Sequence, residues 1–125
     1  NTNKPFAYNR KEKKKHGEQG LIVGSKVEGK VLIVDDVITA GTAVKEAYQI
    51  IKSSGANVAG LVVSIDRQEI GRSDKSAIQE LQENLNIPVV SIANLQDLIN
   101  HIETNKNLIE YLSSMKRYQS KYCLT

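Results

Sequence analysis

Residues Val34 to Ala43, reading VDDVITAGTA, set Asp35 and Asp36 at the end of an apolar run and follow them with a small, hydroxyl-rich turn. The preceding Val31-Leu32-Ile33-Val34 is a short continuous aliphatic run, the pattern of a strand buried on both faces of a parallel sheet. After the turn, Ala43, Ala47, Ile50 and Ile51 recur at helical spacing and Gly55 marks the stop, which predicts a helix over about 42–54. Strand, tight turn and helix together aim the first helical N–H groups at a ligand, with the positive end of the helix dipole behind them. Thr39, Ala40, Gly41 and Thr42 suit such a turn: two hydroxyls, no bulky side chain, and a glycine that tolerates φ > 0. The stretch therefore predicts a cradle for a phosphorylated sugar.

Outward from this motif the chain alternates strands and helices. A polar loop over 9–20 is followed by a short strand at Leu21–Val23. VAGLVVSI predicts a second strong strand at Val58–Ile65, and 67–73 reads as a loop. Ile78, Leu81 and Leu85 mark an amphipathic helix, and Ile87–Ile92 a third strand with Pro88 at its start, where a missing donor is tolerated. Asn94 is a credible N-cap for a helix carrying Leu95, Leu98, Ile99 and Ile102 on one face. Leu108, Tyr111, Leu112, Met115, Tyr118 and Tyr122 predict a C-terminal helix over 105–125 whose apolar stripe serves packing. The expected fold class is α/β with a mainly parallel sheet flanked by helices.

Composition narrows the function classes. The chain has 125 residues, 40% hydrophobic and 25% charged, a one-domain globular profile. No apolar stretch is long enough for a membrane helix, and the polar start does not read as a signal peptide, so the expectation is a cytoplasmic protein. Cys123, the single cysteine, reads as a bystander. The net charge of +3 is carried by one segment: Arg10, Lys11, Lys13, Lys14 and Lys15 stand against Glu12 and Glu18, leaving the rest neutral. A nucleic-acid face would spread its cations over a surface with interleaved aromatics. One concentrated basic loop points instead to a small anion and to no nucleic-acid partner.

Three groups of residues can carry chemistry, each with a plainer alternative. Asp35 and Asp36 can accept ribose hydroxyls and stabilise positive charge at an anomeric carbon, in the crevice where open α/β sheets bind ligands; alternatively they only end a strand and begin a turn. The basic loop, ending at His16-Gly17, can close over a leaving diphosphate, or it is a solvated face. Arg67, at the end of the second strong strand, can fork onto a carboxylate, or pair with Glu69 on the surface. The strand at 31–34, apolar on both faces, also calls for cover from two sides, and the expectation is that part of this cover comes from chain preceding Asn1.

VDDVITAGTA together with NRKEKKKHGEQG (Asn9–Gly20) resembles the orotate phosphoribosyltransferases, type I enzymes of pyrimidine (UMP) synthesis, and the likeness continues through Ser64–Glu69, Ser76–Glu80 and the C-terminal helix. It implies the C-terminal part of a phosphoribosyltransferase domain that moves ribose 5-phosphate from phosphoribosyl diphosphate to orotate, giving orotidine 5′-phosphate and pyrophosphate with Mg2+. On this likeness Asp35, Asp36, Val37, Ile38, Thr39, Ala40, Gly41, Thr42 and Ala43 form the phosphoribosyl-binding loop (34–43), and Thr39 also approaches orotate. Arg67 takes the orotate carboxylate. Arg10, Lys11, Lys14 and His16 belong to a mobile catalytic loop (9–20) that acts in the partner subunit's site of a homodimer, while Lys13 and Lys15 match no functional position. The catalytic residues are then Lys14, His16, Asp35 and Asp36, with the metal held mainly by substrate and water. The family's N-terminal region has no counterpart in this sequence, which leaves a binding-only fragment as one alternative. A phosphorelay receiver, suggested by VLIVDD, is another, but Asp66-Arg67-Gln68 and the lack of a Lys-Pro dipeptide depart from that pattern.

Overall fold

The computed structural model describes residues 3–9 and 22–124. Two short strands, β1 (Ala7–Asn9) and β2 (Ile22–Gly24), pair antiparallel in a small sheet of their own. The main sheet follows as β3 (Lys30–Val37), α1 (Thr42–Ser53), β4 (Asn57–Asp66), α2 (Ala77–Leu85) and β5 (Val89–Asn94). Then come α3 (Leu95–Thr104), a 3-10 turn at Ile109–Tyr111 and α4 (Leu112–Tyr122). The main sheet is wholly parallel, with strand order β3-β4-β5. The α/β class read from the alternation is thus the fold observed.

Local sequence explains most boundaries. Ser76 and Gln79 exchange side-chain-to-backbone hydrogen bonds as a capping box that starts α2, and Asn94 with Asp97 does the same for α3. The second case realises the N-cap expected at Asn94. Pro88 lies just outside β5, where its carbonyl accepts from Leu61 N at 2.9 Å. The C-terminal helix is shorter than 105–125. Asn105 Oδ1 accepts from Asn107 N and its carbonyl from Leu108 N, a local turn that uses up the backbone groups a helix would need.

Sheet order decides how the core is distributed. Parallel strands laid down consecutively, each joined by a right-handed crossover, place both crossover helices on the same face. Accordingly α1 and α2 cover one face, where Val44, Ile51 and Leu81 pack on Ile33, Leu61 and Val63. Each such buried aliphatic side chain contributes about 1.5–3 kcal/mol of transfer free energy. On the opposite face Leu32 (53% exposed), Val34 (72%), Val90 (59%) and Ile92 (78%) have no cover from the described residues. Among the described residues only the Ile33 side of β3 is covered; the second cover that its apolar pattern calls for is not supplied by them. The reason is topological, since neither crossover helix can reach the other side. A second, smaller core joins α3 to α4 through Leu95, Ile99 and Cys123, with Leu112, Met115 and Tyr118 around them.

This partition predicts opposite costs for two isoleucines seven residues apart. Ile99→Ala, at a site 1% exposed, should lower unfolding free energy by about 2–5 kcal/mol in urea titrations. Ile92→Ser should change it by less than about 0.5 kcal/mol, as at surface positions; a large loss at Ile92 would mean that its face is covered.

Candidate active site

The carboxyl ends of β3, β4 and β5 lie side by side, and every residue picked out in the described part of the chain comes from these ends or the turns after them. β3 runs on through Asp35 and Asp36 to Val37, farther than the apolar run alone predicts. Successive side chains of a strand leave it on opposite faces. A ligand touching both carboxylates must therefore sit over the strand end, astride the sheet edge. Asp35 Oδ1 accepts from Asp36 N at 2.9 Å, and Asp36 Oδ1 from Val37 N at 2.6 Å. The Ser64 hydroxyl donates to the Asp36 carbonyl at 2.6 Å, tying the end of β3 to β4.

Beyond Val37 the chain dips inward at Ile38, which is buried, and resurfaces at Thr39 and Ala40. Gly41 caps α1 in the left-handed conformation, φ 69° and ψ 16°. A Cβ at this position would also stand 3.0 Å from Leu81 Cδ1. Glycine thus meets two demands here, a backbone angle and a close approach to α2. Among the described residues no side chain caps α1, and no acidic residue sits in its first turn. Its leading N–H groups remain available to an anion, with the exposed Thr42 and Ala43 beside them. Thr39 and Ala40 also line a cleft of about 310 Å³ shared with Lys45, Glu69, Arg72 and Glu80. Across that cleft the Ser73 hydroxyl, followed by the Arg72 backbone, holds the Glu80 carboxyl below the usual carboxylate range.

Arg67 follows β4 and is half-buried. Its Nη2 donates to Glu69 Oε2 at 2.9 Å, so the pairing weighed as the plainer alternative does form. It does not exhaust the guanidinium, whose Nε is buried and without a partner among the described residues. The surrounding segment is tightly held. Gln68 adopts φ 57°, a left-handed conformation that costs a non-glycine residue roughly 1–2 kcal/mol. Asp66 Oδ1 accepts from Gln68 N, the Tyr122 carbonyl accepts from Ile70 N, and the Cys123 thiol donates to the Arg67 carbonyl at 3.3 Å. Burial pushes the Cys123 thiol up, keeping it a protonated donor. Tyr118 donates to Glu69 Oε1. The sequence carried no local signal for this cluster, because its members are separated by about fifty residues.

The structure thus brings the 35–43 segment and Arg67 to one edge of the sheet. Arg10, Lys11, Lys14 and His16, with Lys13 and Lys15, lie outside the described residues.

Residues 3–94 match the family model of the phosphoribosyl transferase domain. The chain is 47% identical over 122 residues to orotate phosphoribosyltransferase from Pseudoalteromonas translucida, covering 98% of the chain and 57% of that protein. It is 50% identical over 118 residues to the Vibrio parahaemolyticus enzyme of the same name, covering 94% and 55%. The crystal structure of orotate phosphoribosyltransferase from Francisella tularensis superposes with a TM-score of 0.72 at 36% identity, covering 95% of this chain and 56% of that one. The chain spans little more than half the length of these relatives. With a parallel sheet, a glycine-opened helix start after paired carboxylates and a family match over most of its length, the chain belongs to the phosphoribosyl transferase domain family.

Proposed function

We propose that this chain forms the donor cradle and acceptor-carboxylate site of an orotate phosphoribosyltransferase. The observation that carries the reading is the uncapped start of α1, opened by left-handed Gly41 directly after Asp35 and Asp36, in a chain about half identical to enzymes of that name. In this reading the first N–H groups of α1, with the Thr39 and Thr42 hydroxyls, hold the 5-phosphate of phosphoribosyl diphosphate. Asp35 and Asp36 accept the ribose hydroxyls from the strand end and stabilise positive charge at the anomeric carbon. Arg67 orients orotate by its carboxylate, with Thr39 nearby. The anomeric C–O bond to diphosphate breaks and a bond to the orotate ring nitrogen forms. Diphosphate departs with the bonding electron pair, and that nitrogen loses its proton.

Lys14 and His16, with Arg10 and Lys11, neutralise the departing diphosphate and exclude water. They do so in the partner subunit of a homodimer. Mg2+ suits the donor set. Asp35 and Asp36 each commit Oδ1 to a backbone N–H and keep a second hard oxygen, while the described residues contain no cluster of three or more His, Cys, Asp or Glu side chains able to cage an ion. A cation held largely by substrate oxygens and water, with a carboxylate contribution, matches the coordination habit of Mg2+. When bound, it supplies charge neutralisation for the diphosphate. A cytoplasmic location belongs to the same reading; among the described residues no helix is long and apolar enough to cross a membrane.

A second reading, donor binding without turnover, draws on the share of the relatives that the chain spans, 57% and 55%. Orotate absorbance, followed with phosphoribosyl diphosphate and Mg2+, tests both. Orotate consumption matched by pyrophosphate release supports the enzyme; donor binding in calorimetry without consumption supports the second reading; neither binding nor consumption overturns both.

In the active protein, Lys14→Ala should lower kcat on the order of 10²-fold, the scale for removing one charge-stabilising donor, while donor affinity holds. An unchanged single-turnover rate would remove Lys14 from the chemistry. Arg67→Ala should raise the orotate KM by roughly 10- to 100-fold, as expected for loss of a charge-assisted hydrogen bond, and leave donor affinity alone; an unaltered orotate KM would remove Arg67 from the acceptor site.

A further inference from the structure

Tyr118 stands 49 positions from Glu69 in the sequence, yet its hydroxyl donates to Glu69 Oε1, while Glu69 Oε2 accepts from Arg67 Nη2. A carboxylate facing a guanidinium alone can take both oxygens to it in a forked, bidentate pair. With the phenol directed at Oε1, Glu69 meets Arg67 through Oε2 in a single contact. Arg67 Nε is left buried without a partner among the described residues, an unmet donor of the kind a structure keeps at a cost.

We propose that Tyr118 is a positioning residue for the acceptor site: by engaging Glu69 Oε1 it keeps Glu69 from closing bidentately on Arg67, and so reserves guanidinium donors for a planar carboxylate ligand. The proposal rests on the reading of Arg67 as the arginine that takes the orotate carboxylate. Glu69 itself lines the cleft beside Thr39 and Ala40, which places the switchable carboxylate next to the donor turn. The hydrogen bond to Glu69, followed by burial, raises the Tyr118 pKa above the ordinary tyrosine value, so the phenol stays a neutral donor throughout the physiological range. The ring is fixed separately: it packs on the Leu95, Ile99 and Cys123 cluster and stands 5.1 Å from the Tyr122 ring, centroid to centroid. Helix α4 therefore acts on a residue of the β4 turn through one hydroxyl group.

Tyr118→Phe removes that hydroxyl and keeps the ring packing, so the fold is retained. Calorimetry with orotate and with phosphoribosyl diphosphate, on the full chain and on Arg67→Ala and the double variant, gives the first readout. Tyr118→Phe should weaken orotate about tenfold, the scale of one hydrogen bond, leave the diphosphate sugar unaffected, and add nothing on top of Arg67→Ala. In steady state the loss should fall on the orotate KM, with kcat preserved. The second readout needs no ligand: the Arg67 Nε–H resonance in NMR should move in Tyr118→Phe as Glu69 closes. An unchanged orotate affinity, an equal loss for donor and acceptor, or an unmoved Nε–H resonance each overturns the proposal. If the parent chain binds the donor but no orotate, the acceptor role of Arg67 is what fails. The Nε–H resonance then decides the positioning role alone: movement sustains it, and none overturns it.

Discussion

Right-handed crossover of consecutive parallel strands is the constraint from which the rest of the structure follows. Because β3, β4 and β5 lie in sequence order, both crossover helices fall on one face and all three carboxyl ends emerge at one edge. The first consequence concentrates the core on the Ile33–Leu61–Val63 side. The second gathers the acidic end of β3, the α1 turn and the Arg67 segment, which are far apart in the chain, around one crevice. Among the described residues the apolar face of Leu32, Val34, Val90 and Ile92 has no cover. Parallel strand direction sets the candidate-site edge, and the strand order sets the face on which the helices lie.

Within that edge the two halves are held differently. The turn after β3 relies on local backbone chemistry: Ile38 anchors it, left-handed Gly41 turns it, and among the described residues no side chain caps the start of α1. The Arg67 segment depends on distant chain. Residues 66–70 are pinned by Tyr118, Tyr122 and Cys123 from the C-terminal end, and by Gln96 N, which donates to Gln68 Oε1 at 3.2 Å. Such over-determination is what permits Gln68 to remain left-handed. Cys123, which reads as a bystander in sequence, is a buried part of this strap.

Several elements were legible because their signals are short-range. The Asn94 cap, the strand VAGLVVSI and the turn TAGT each depend on residues within one or two turns of one another, and they appear in the structure within a residue or two of the expected bounds. Other expectations failed where a competing interaction was not local. Strand β3 outlasts its apolar run because Ser64 of β4 ties the backbone at Asp36. Its apolar residues on both faces do not by themselves say on which side the crossover helices pass. The strand β1 was missed because three residues paired only with Ile22–Gly24 carry no periodicity of their own.

By itself the sequence determined the α/β class, the turn into α1 and the family, since all three rest on patterns confined to short windows: alternating apolar runs, a glycine between hydroxyls, two adjacent carboxylates. Only the tertiary structure decided that Asp35 and Asp36 leave their strand on opposite faces, that the described residues cover one sheet face, and that Arg67 shares Glu69 with Tyr118. These are consequences of strand extension, crossover handedness and contacts across some fifty residues, and a linear pattern encodes none of them separately from the fold.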